Sequence, residues 1–209
     1  MPDLVWPEIY FVRHGETDWN AEGRYQGSQD IPLNVRGQGQ AEQNGELLKR
    51  LLTRSGRTAT DFTWYVSPLS RTRETMNRIR ARLDEPLPEI TIDPRLVEVS
   101  FGIYEGHLHT ELSTGAMAMA GERDASFWYF RPPGGESYED VRQRMLDFGA
   151  SLNGPSIIVS HGGIPRVLRH LIEGFPHERA VNWFPPQDSV VHFTGGKSVV
   201  YPAGQSWDD

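Results

Sequence analysis

Ile9-Tyr10-Phe11-Val12-Arg13-His14-Gly15-Glu16-Thr17 is the stretch whose reading decides the fold. Four apolar, β-branched or aromatic residues in a row describe a strand covered on both faces, since a half-exposed strand would alternate. The run stops at a polar loop beginning Arg-His-Gly. Ser156–Ser160 repeats the design and stops at His161-Gly162-Gly163. Between them, Phe62–Val66 is closed by Ser67-Pro68, and Glu89-Ile90-Thr91-Ile92 forms a third strand. Helical stripes separate these strands. Ala41, Gly45, Leu48 and Leu52 precede a stop at Ser55-Gly56, and Thr72, Met76, Ile79 and Leu83 precede Pro86 and Pro88. Tyr138, Val141, Met145, Phe148 and Leu152 follow a capping pair, Ser137 and Asp140, while Ile164, Val167, Leu168 and Leu171 follow the last His-Gly-Gly. Val190–Phe193 and Ser198–Tyr201 flank Thr194-Gly195-Gly196-Lys197 as a closing hairpin.

This order predicts an α/β fold of three layers, a mostly parallel central sheet flanked by helices. One domain is expected over residues 1–209, with residues 21–39 as a loop and a lid insertion at about 103–135 containing one short helix. The lid carries Phe127-Trp128-Tyr129-Phe130, which reads as core or as an apolar wall for the departing part of a substrate. No repeat or low-complexity tract interrupts the chain.

Composition narrows the function. With 209 residues, 37% of them hydrophobic, the chain can bury a core. Its net charge of −7 disfavours sequence-independent nucleic-acid binding. The absence of cysteine excludes disulfide scaffolds, iron–sulfur sites and thiol catalysis. The acidic start lacks a signal-peptide core, and no apolar run approaches the ~20 residues of a membrane span, so a cytoplasmic protein without membrane partners is expected.

In open α/β sheets, ligands bind at the carboxyl ends of the strands. There the chain places Arg13-His14-Gly15, Ser67-Pro68-Leu69-Ser70-Arg71, Arg95 to Glu98, and Ser160-His161-Gly162-Gly163. Two histidines, strong arginine candidates and a glutamate thus converge on one edge. Glycines beside them let backbone approach a ligand. No Gly-x-Gly-x-x-Gly follows the first strand, which argues against dinucleotide binding. His107 and His109 lack a matched third metal ligand. His170 and His177, in or after the last long helix, read as surface residues.

Arg13-His14-Gly15-Glu16-Thr17-Asp18-Trp19-Asn20 resembles the signature of the histidine phosphatase superfamily, the phosphoglycerate-mutase-like proteins. The resemblance runs through Gly23–Asp30, Pro32-Leu33, Gly37 and Gln40-Ala41, then Ser67–Thr72, Glu98–Gly106, Pro133–Ser137 and Val159–Gly163, in family order. It implies phosphoryl transfer through a phosphohistidine on a small phosphate ester, with no cofactor and no metal. His14 would be the nucleophile, attacking as a neutral ring. Arg13, Arg71 and His161 would surround the phosphoryl oxygens, His161 as a donor that is protonated when the dianion is bound. Glu98 would protonate the leaving oxygen and then activate water; its other reading is a surface carboxylate or an ion pair with Arg95. Asn20, Gln26, Gly27 and Ser28 would complete the phosphate pocket with amide groups, and N–H groups near Gly162 would add a helix N-terminus. Gln26 and Ser28 read equally as ordinary loop polarity.

The same residues serve phosphatases and cofactor-dependent phosphoglycerate mutases. A mutase must exclude water and hold a second phosphate, yet Gly106–Pro133 is short and holds only Arg123 and Arg131 as basic residues. The phosphatase branch is expected, and the aromatic lid suggests a leaving group with apolar surface. A non-catalytic phospho-ligand-binding relative is the other alternative, but His14, Arg71, Glu98 and His161 are all retained. Thr72 and Ser100 depart from the Ala and acidic residue common in relatives, both mildly. A homodimer stays open, since dimers are common among such proteins.

Overall fold

The structure, a computed structural model, describes residues 4–84, 86–111 and 125–205. Strand β1 (Ile9–Arg13) is followed by helices α1 (Asp18–Glu22) and α2 (Val35–Arg54), strand β2 (Thr63–Val66), helix α3 (Ser70–Arg80) and strand β3 (Ile90–Ile92). Helices α4 (Ala125–Tyr129) and α5 (Tyr138–Ala150) lead to β4 (Ser156–Ser160), α6 (Gly163–Glu173) and α7 (His177–Ala180). The hairpin β5 (Ser189–Thr194) and β6 (Lys197–Pro202) follows. The strands form one sheet in the order β3-β2-β4-β1-β5-β6; the first four are parallel, β5 runs against β1 and β6 against β5.

Strand periodicity sorts the core into two layers, because successive side chains leave a strand on opposite faces. Ile9, Phe11, Ile158 and Phe193 pack with Val141, Met145 and Phe148 of α5 and Val167 and Leu168 of α6. Tyr10, Val12, Trp64, Ile157 and Val159 pack on the other face with Leu47 and Leu48 of α2 and Met76 and Ile79 of α3. All five residues of β4 are buried, as the unbroken apolar runs require. Each large side chain taken out of water here stabilises by roughly 1.5–3 kcal/mol before entropy is counted.

Three sequence expectations are corrected. Residues 21–39 are not all loop. Thr17 and Asn20 form a reciprocal capping box that starts α1, and the Asn34 side chain accepts from Gly37 N at 2.8 Å to start α2 at Val35. The buried face of that first stretch is Gly37 and Gln40, too small and too polar to show as an apolar stripe. His170 and His177 are not simple surface residues. Their rings lie 5.0 and 5.6 Å from the Trp128 ring, because α4 packs against α5 and α7. In the expected lid, Gly102–Tyr104 makes a 3-10 turn and α4 supplies the short helix. Its Ala/Met stretch at 116–120 and Arg123 lie outside the described residues. Phe127 and Trp128 belong to the core, 5% and 1% exposed, whereas Tyr129 faces solvent. Helix α3 ends at Arg80, short of Leu83, which packs as part of the turn beyond it.

The start of α2 is pressed against the loop after β1. A Cβ on Gly37 would stand 2.0 Å from the Glu16 carbonyl oxygen, and one on Gly15 would stand 2.1 Å from the Gly37 carbonyl oxygen. Both obstacles are backbone, so neither can rotate away. Gly37→Ala is expected to lower the stability of the chain by about 1–3 kcal/mol, the usual cost of forcing extra atoms into a packed contact. Urea unfolding of the two proteins side by side measures this; an unchanged midpoint would show that the loop and helix can part without cost.

Candidate active site

Sheet register brings the site together. Arg13 pairs with Ser160 across β1 and β4, and Val66 pairs with Val159 across β2 and β4. The residue after each partner therefore emerges at the same edge: His14, His161 and Ser67. His14 N donates to Ser160 O at 2.9 Å, and Ser67 N to Val159 O at 3.2 Å, so the ladder runs one step past the strands. The His14 and His161 rings lie 5.2 Å apart, centre to centre, edge to face.

His14 is 2% exposed, and its Nδ1 lies 2.7 Å from the Gly15 carbonyl. A carbonyl only accepts, so Nδ1 carries the proton and Nε2 keeps its lone pair. Burial, then the Arg71 and Arg13 charges, hold the imidazole well below its ordinary 6.5. These surroundings favour the neutral ring. His161 is fully buried, with Nε2 2.7 Å from Ser67 Oγ and Nδ1 without a partner. Burial, then Arg71, His14, Arg144 and Arg13, also hold it well below 6.5. The expected imidazolium is thus opposed by its surroundings, although a neutral ring still donates from whichever nitrogen bears its proton.

Arg71 is fully buried beside His14. Its Nη1 donates to Gln29 O at 2.6 Å and its Nη2 to Gly27 O at 2.9 Å, while Nε has no partner. Arg13 likewise has a buried Nε without a partner. Desolvation pulls both guanidinium groups down from 12.5 to about 10, which leaves them cationic. Gly162 permits the approach of Arg13: a Cβ there would lie 3.1 Å from Arg13 Nε.

Glu98 is not paired with Arg95, whose fork is taken by Asp93 at 2.6 Å. Instead Glu98 Oε1 accepts from Gly163 N at 3.0 Å, at the first turn of α6, and from Val99 N at 3.0 Å. Both bonds fall on Oε1. A Cβ on Gly163 would lie 2.5 Å from Oε1, so glycine is what lets the carboxyl reach the helix.

These groups border a cleft of about 310 Å³ whose lining includes Arg13, His14, Asn20, Gln26, Gly27, Glu98 and Gly162. Arg71 and His161 are fully buried next to His14 and are not part of that lining. Ser28 does not join the set. Its N–H (2.9 Å) and hydroxyl (3.1 Å) are turned onto Glu105 Oε1, while Oε2 accepts from Gln29 Nε2 at 2.9 Å. Ser100 Oγ and Phe101 N also donate to Oε1. Burial pushes the Glu105 carboxyl up, but the bonds from Ser28, Gln29 and Ser100 outweigh it and hold the group below its ordinary 4.5. Glu105 and Arg71 thus clasp the 26–29 loop from its two sides.

The sequence reading missed Glu105, Gln187, Tyr138, Phe184 and Arg166. Gln187 Nε2 donates to His14 O at 3.2 Å and to Asn20 Oδ1 at 3.0 Å. Its only signal in the sequence was a Pro-Pro-Gln-Asp turn before β5, far along the chain from what it touches. The cleft's aromatic walls are Tyr25, Phe101, Tyr138 and Phe184 rather than Phe127–Phe130. Two of the latter are in the core because the α4 backbone turns them inward. His109 lies against Tyr25, ring centres 4.2 Å apart, whereas His107 faces Glu111 at 3.7 Å. Among the described residues no group of three His, Cys, Asp or Glu side chains could hold a metal ion.

Comparisons with known proteins identify the family and the fold. The family model described as the histidine phosphatase superfamily (branch 1) matches residues 9–201. A glucosyl-3-phosphoglycerate phosphatase of Mycolicibacterium vanbaalenii is 32% identical, over 96% of this chain and 86% of its own. A probable phosphoglycerate mutase GpmB of Erwinia tasmaniensis is 36% identical over 81% of this chain and 76% of its own. A crystal structure of phosphoglycerate mutase from Thermus thermophilus superposes with a TM-score of 0.66 at 28% identity, covering 95% of this chain and 99% of that one. With its sheet order, its paired histidines and this match over nearly the whole length, the chain belongs to the histidine phosphatase superfamily, branch 1.

Proposed function

We propose that the protein is a metal-independent phosphomonoesterase working through a phosphohistidine on His14. One observation carries the reading. Of the four buried side-chain nitrogens without a partner among the described residues, three are Arg13 Nε, Arg71 Nε and His161 Nδ1, all beside His14, and we assign all three as N–H donors. A buried donor left unpaired costs about 1–3 kcal/mol, so its acceptor is expected to arrive with a ligand. A phosphoryl group offers three oxygens to three such donors, next to a nucleophilic lone pair.

In the first step, His14 Nε2 attacks phosphorus in line, the P–O ester bond breaks, and Glu98 gives its proton to the departing alkoxide. In the second, water loses a proton to Glu98 and attacks phosphorus, the P–N bond breaks, and inorganic phosphate leaves. Arg13 and Arg71 offset the charge that spreads over the equatorial oxygens. His161 is assigned as a neutral donor, with Ser67 Oγ–H donating to Nε2 and the ring proton on Nδ1. Asn20 and Gln26 border the entrance, Gly27 and Gly162 offer main-chain N–H groups, and Ser28 acts through Glu105 on the loop.

A phosphoglycerate mutase would return the phosphoryl group to a second hydroxyl. Arg131, one of the two basic side chains of the 106–133 segment, is held by Asp140 rather than facing the cleft. That supports hydrolysis.

His14→Ala is expected to abolish turnover of p-nitrophenyl phosphate measured in excess chelator. Rapid quench of the wild type should trap an acid-labile, base-stable phosphoenzyme. Turnover by the variant, or dependence on added metal, would overturn the mechanism.

Ser67→Ala is expected to lower kcat by about 10-fold or more, since a positioned donor in such a site is worth that or more. In ¹⁵N-selective NMR the His161 ring should lose its preference for the Nδ1–H tautomer. An Nε2–H tautomer in the wild type would reject the assigned role.

Both histidines lie below their ordinary value in the folded chain, so as the pH falls the unfolded chain takes up protons first. The stability gained by keeping them neutral is complete above about pH 6.5 and is lost as the pH drops toward their folded values. The slope should approach about 1.4 kcal/mol per pH unit for each histidine. Denaturant titrations from pH 7.5 to 5 should show this slope halved in His161→Asn, and kcat/KM should show no inflection near 6.5 from His14.

A further inference from the structure

Besides Arg13, two guanidinium groups line the cleft: Arg24, which is paired with Glu22 and donates to the Gly106 carbonyl, and Arg166, which this mechanism leaves unused. Arg166, on α6, is 6% exposed, and its ion-pairing capacity is untouched: it meets no carboxylate among the described residues. Three contacts fix its plane. Nε donates to Trp183 O at 2.9 Å, Nη1 donates to the Tyr138 hydroxyl at 2.5 Å, and the group lies 3.9 Å over the Phe184 ring. Nη2 has no hydrogen bond and the side chain lines the same cleft as His14. Its charge also reaches Arg13, whose cationic form it disfavours.

A buried cation with polar but uncharged partners is costly, and a ligand anion relieves that cost. The phosphoryl group already has Arg13 and Arg71. The other acidic side chain of the cleft, Glu16, is engaged elsewhere, with Asn34 Nδ2 at 3.0 Å and Arg36 at 3.3 Å. Arg166 therefore faces the part of the substrate that departs. With Nε and one Nη1 proton taken, one edge of its fork remains, which suits the two oxygens and the single charge of a carboxylate. Resting on the phosphomonoesterase reading above, we infer that Arg166 forms a carboxylate subsite, and that the preferred substrate is a phosphate ester whose alcohol part carries a carboxylate beside apolar surface. The apolar surface would lie on Phe184 and Tyr138.

The test uses matched pairs that differ only in charge: 3-carboxyphenyl phosphate against 3-carbamoylphenyl phosphate, and phosphoglycolate against its amide. The readout is the carboxylate-to-amide ratio of kcat/KM, from which leaving-group effects cancel when variants are compared with wild type. Wild type is expected to prefer the carboxylate in both pairs. Arg166→Gln should reduce the ratio about 10-fold or more, the scale of a lost charge-assisted bond, and Arg166→Lys should restore part of it. Phe184→Leu, at a side chain 53% exposed, tests the same subsite without disturbing the core and should lower the ratio several-fold. Hydrolysis of both members of each pair with no preference, or a preference untouched by these variants, would overturn the subsite and leave the phosphatase reading standing. No hydrolysis of any ester by the wild type would overturn both.

Discussion

A neutral imidazole held between buried guanidinium groups is the constraint on which the rest depends. His14 must keep its lone pair while Arg13 and Arg71 stay charged beside it, and water is the usual means of making such neighbours compatible. Here water is replaced by fixed structure. The Gly15 carbonyl takes the Nδ1 proton, and the two cations then make a second proton on the ring unfavourable. The same charges that would repel an imidazolium are the ones a phosphoryl dianion would need, so one arrangement serves both the nucleophile and its target.

That arrangement is expensive to build, and the fold meets the cost in two ways. Parallel pairing of β1 with β4 and β4 with β2 delivers His14, His161 and Ser67 to one edge by register alone, with no loop needed to find its place. The guanidinium of Arg71 is then occupied on its Nη side by two carbonyls of the 26–29 loop, which the Glu105 carboxylate grips from the opposite side. Loop and cation hold each other. This explains why Ser28, a plausible phosphate ligand by type and spacing, spends its donors on Glu105.

The chemistry is divided between rigid and adjustable parts. On the proposed reading the phosphate end would rest on strand ends and on Glu98, which accepts main-chain N–H bonds from Val99 and from Gly163 in the first turn of α6. The cleft is also walled by single aromatic side chains from separate segments and by Arg166, a buried residue of α6.

Strand runs, helix stripes and the residues at strand ends were legible without coordinates, because burial on both faces of a parallel sheet writes unbroken apolar runs and because ligand sites gather at carboxyl ends. His14, Arg71, Glu98 and His161 were picked out that way, and the fold brings them close to one another. The capped starts of α1 and α2 were hidden, since Thr17, Asn34 and Gly37 act through hydrogen bonds and close backbone contact rather than hydrophobicity. The aromatic run at 127–130 read as core or as a substrate wall, and packing of α4 on α5 and α7 places Phe127 and Trp128 in the core. Gln187, Glu105 and Arg166 lie far along the chain from the groups they serve. Composition and spacing determine which residues can carry the chemistry; which of them meet, and which cation is left over, is decided by register and packing, because those contacts join segments that the sequence keeps apart.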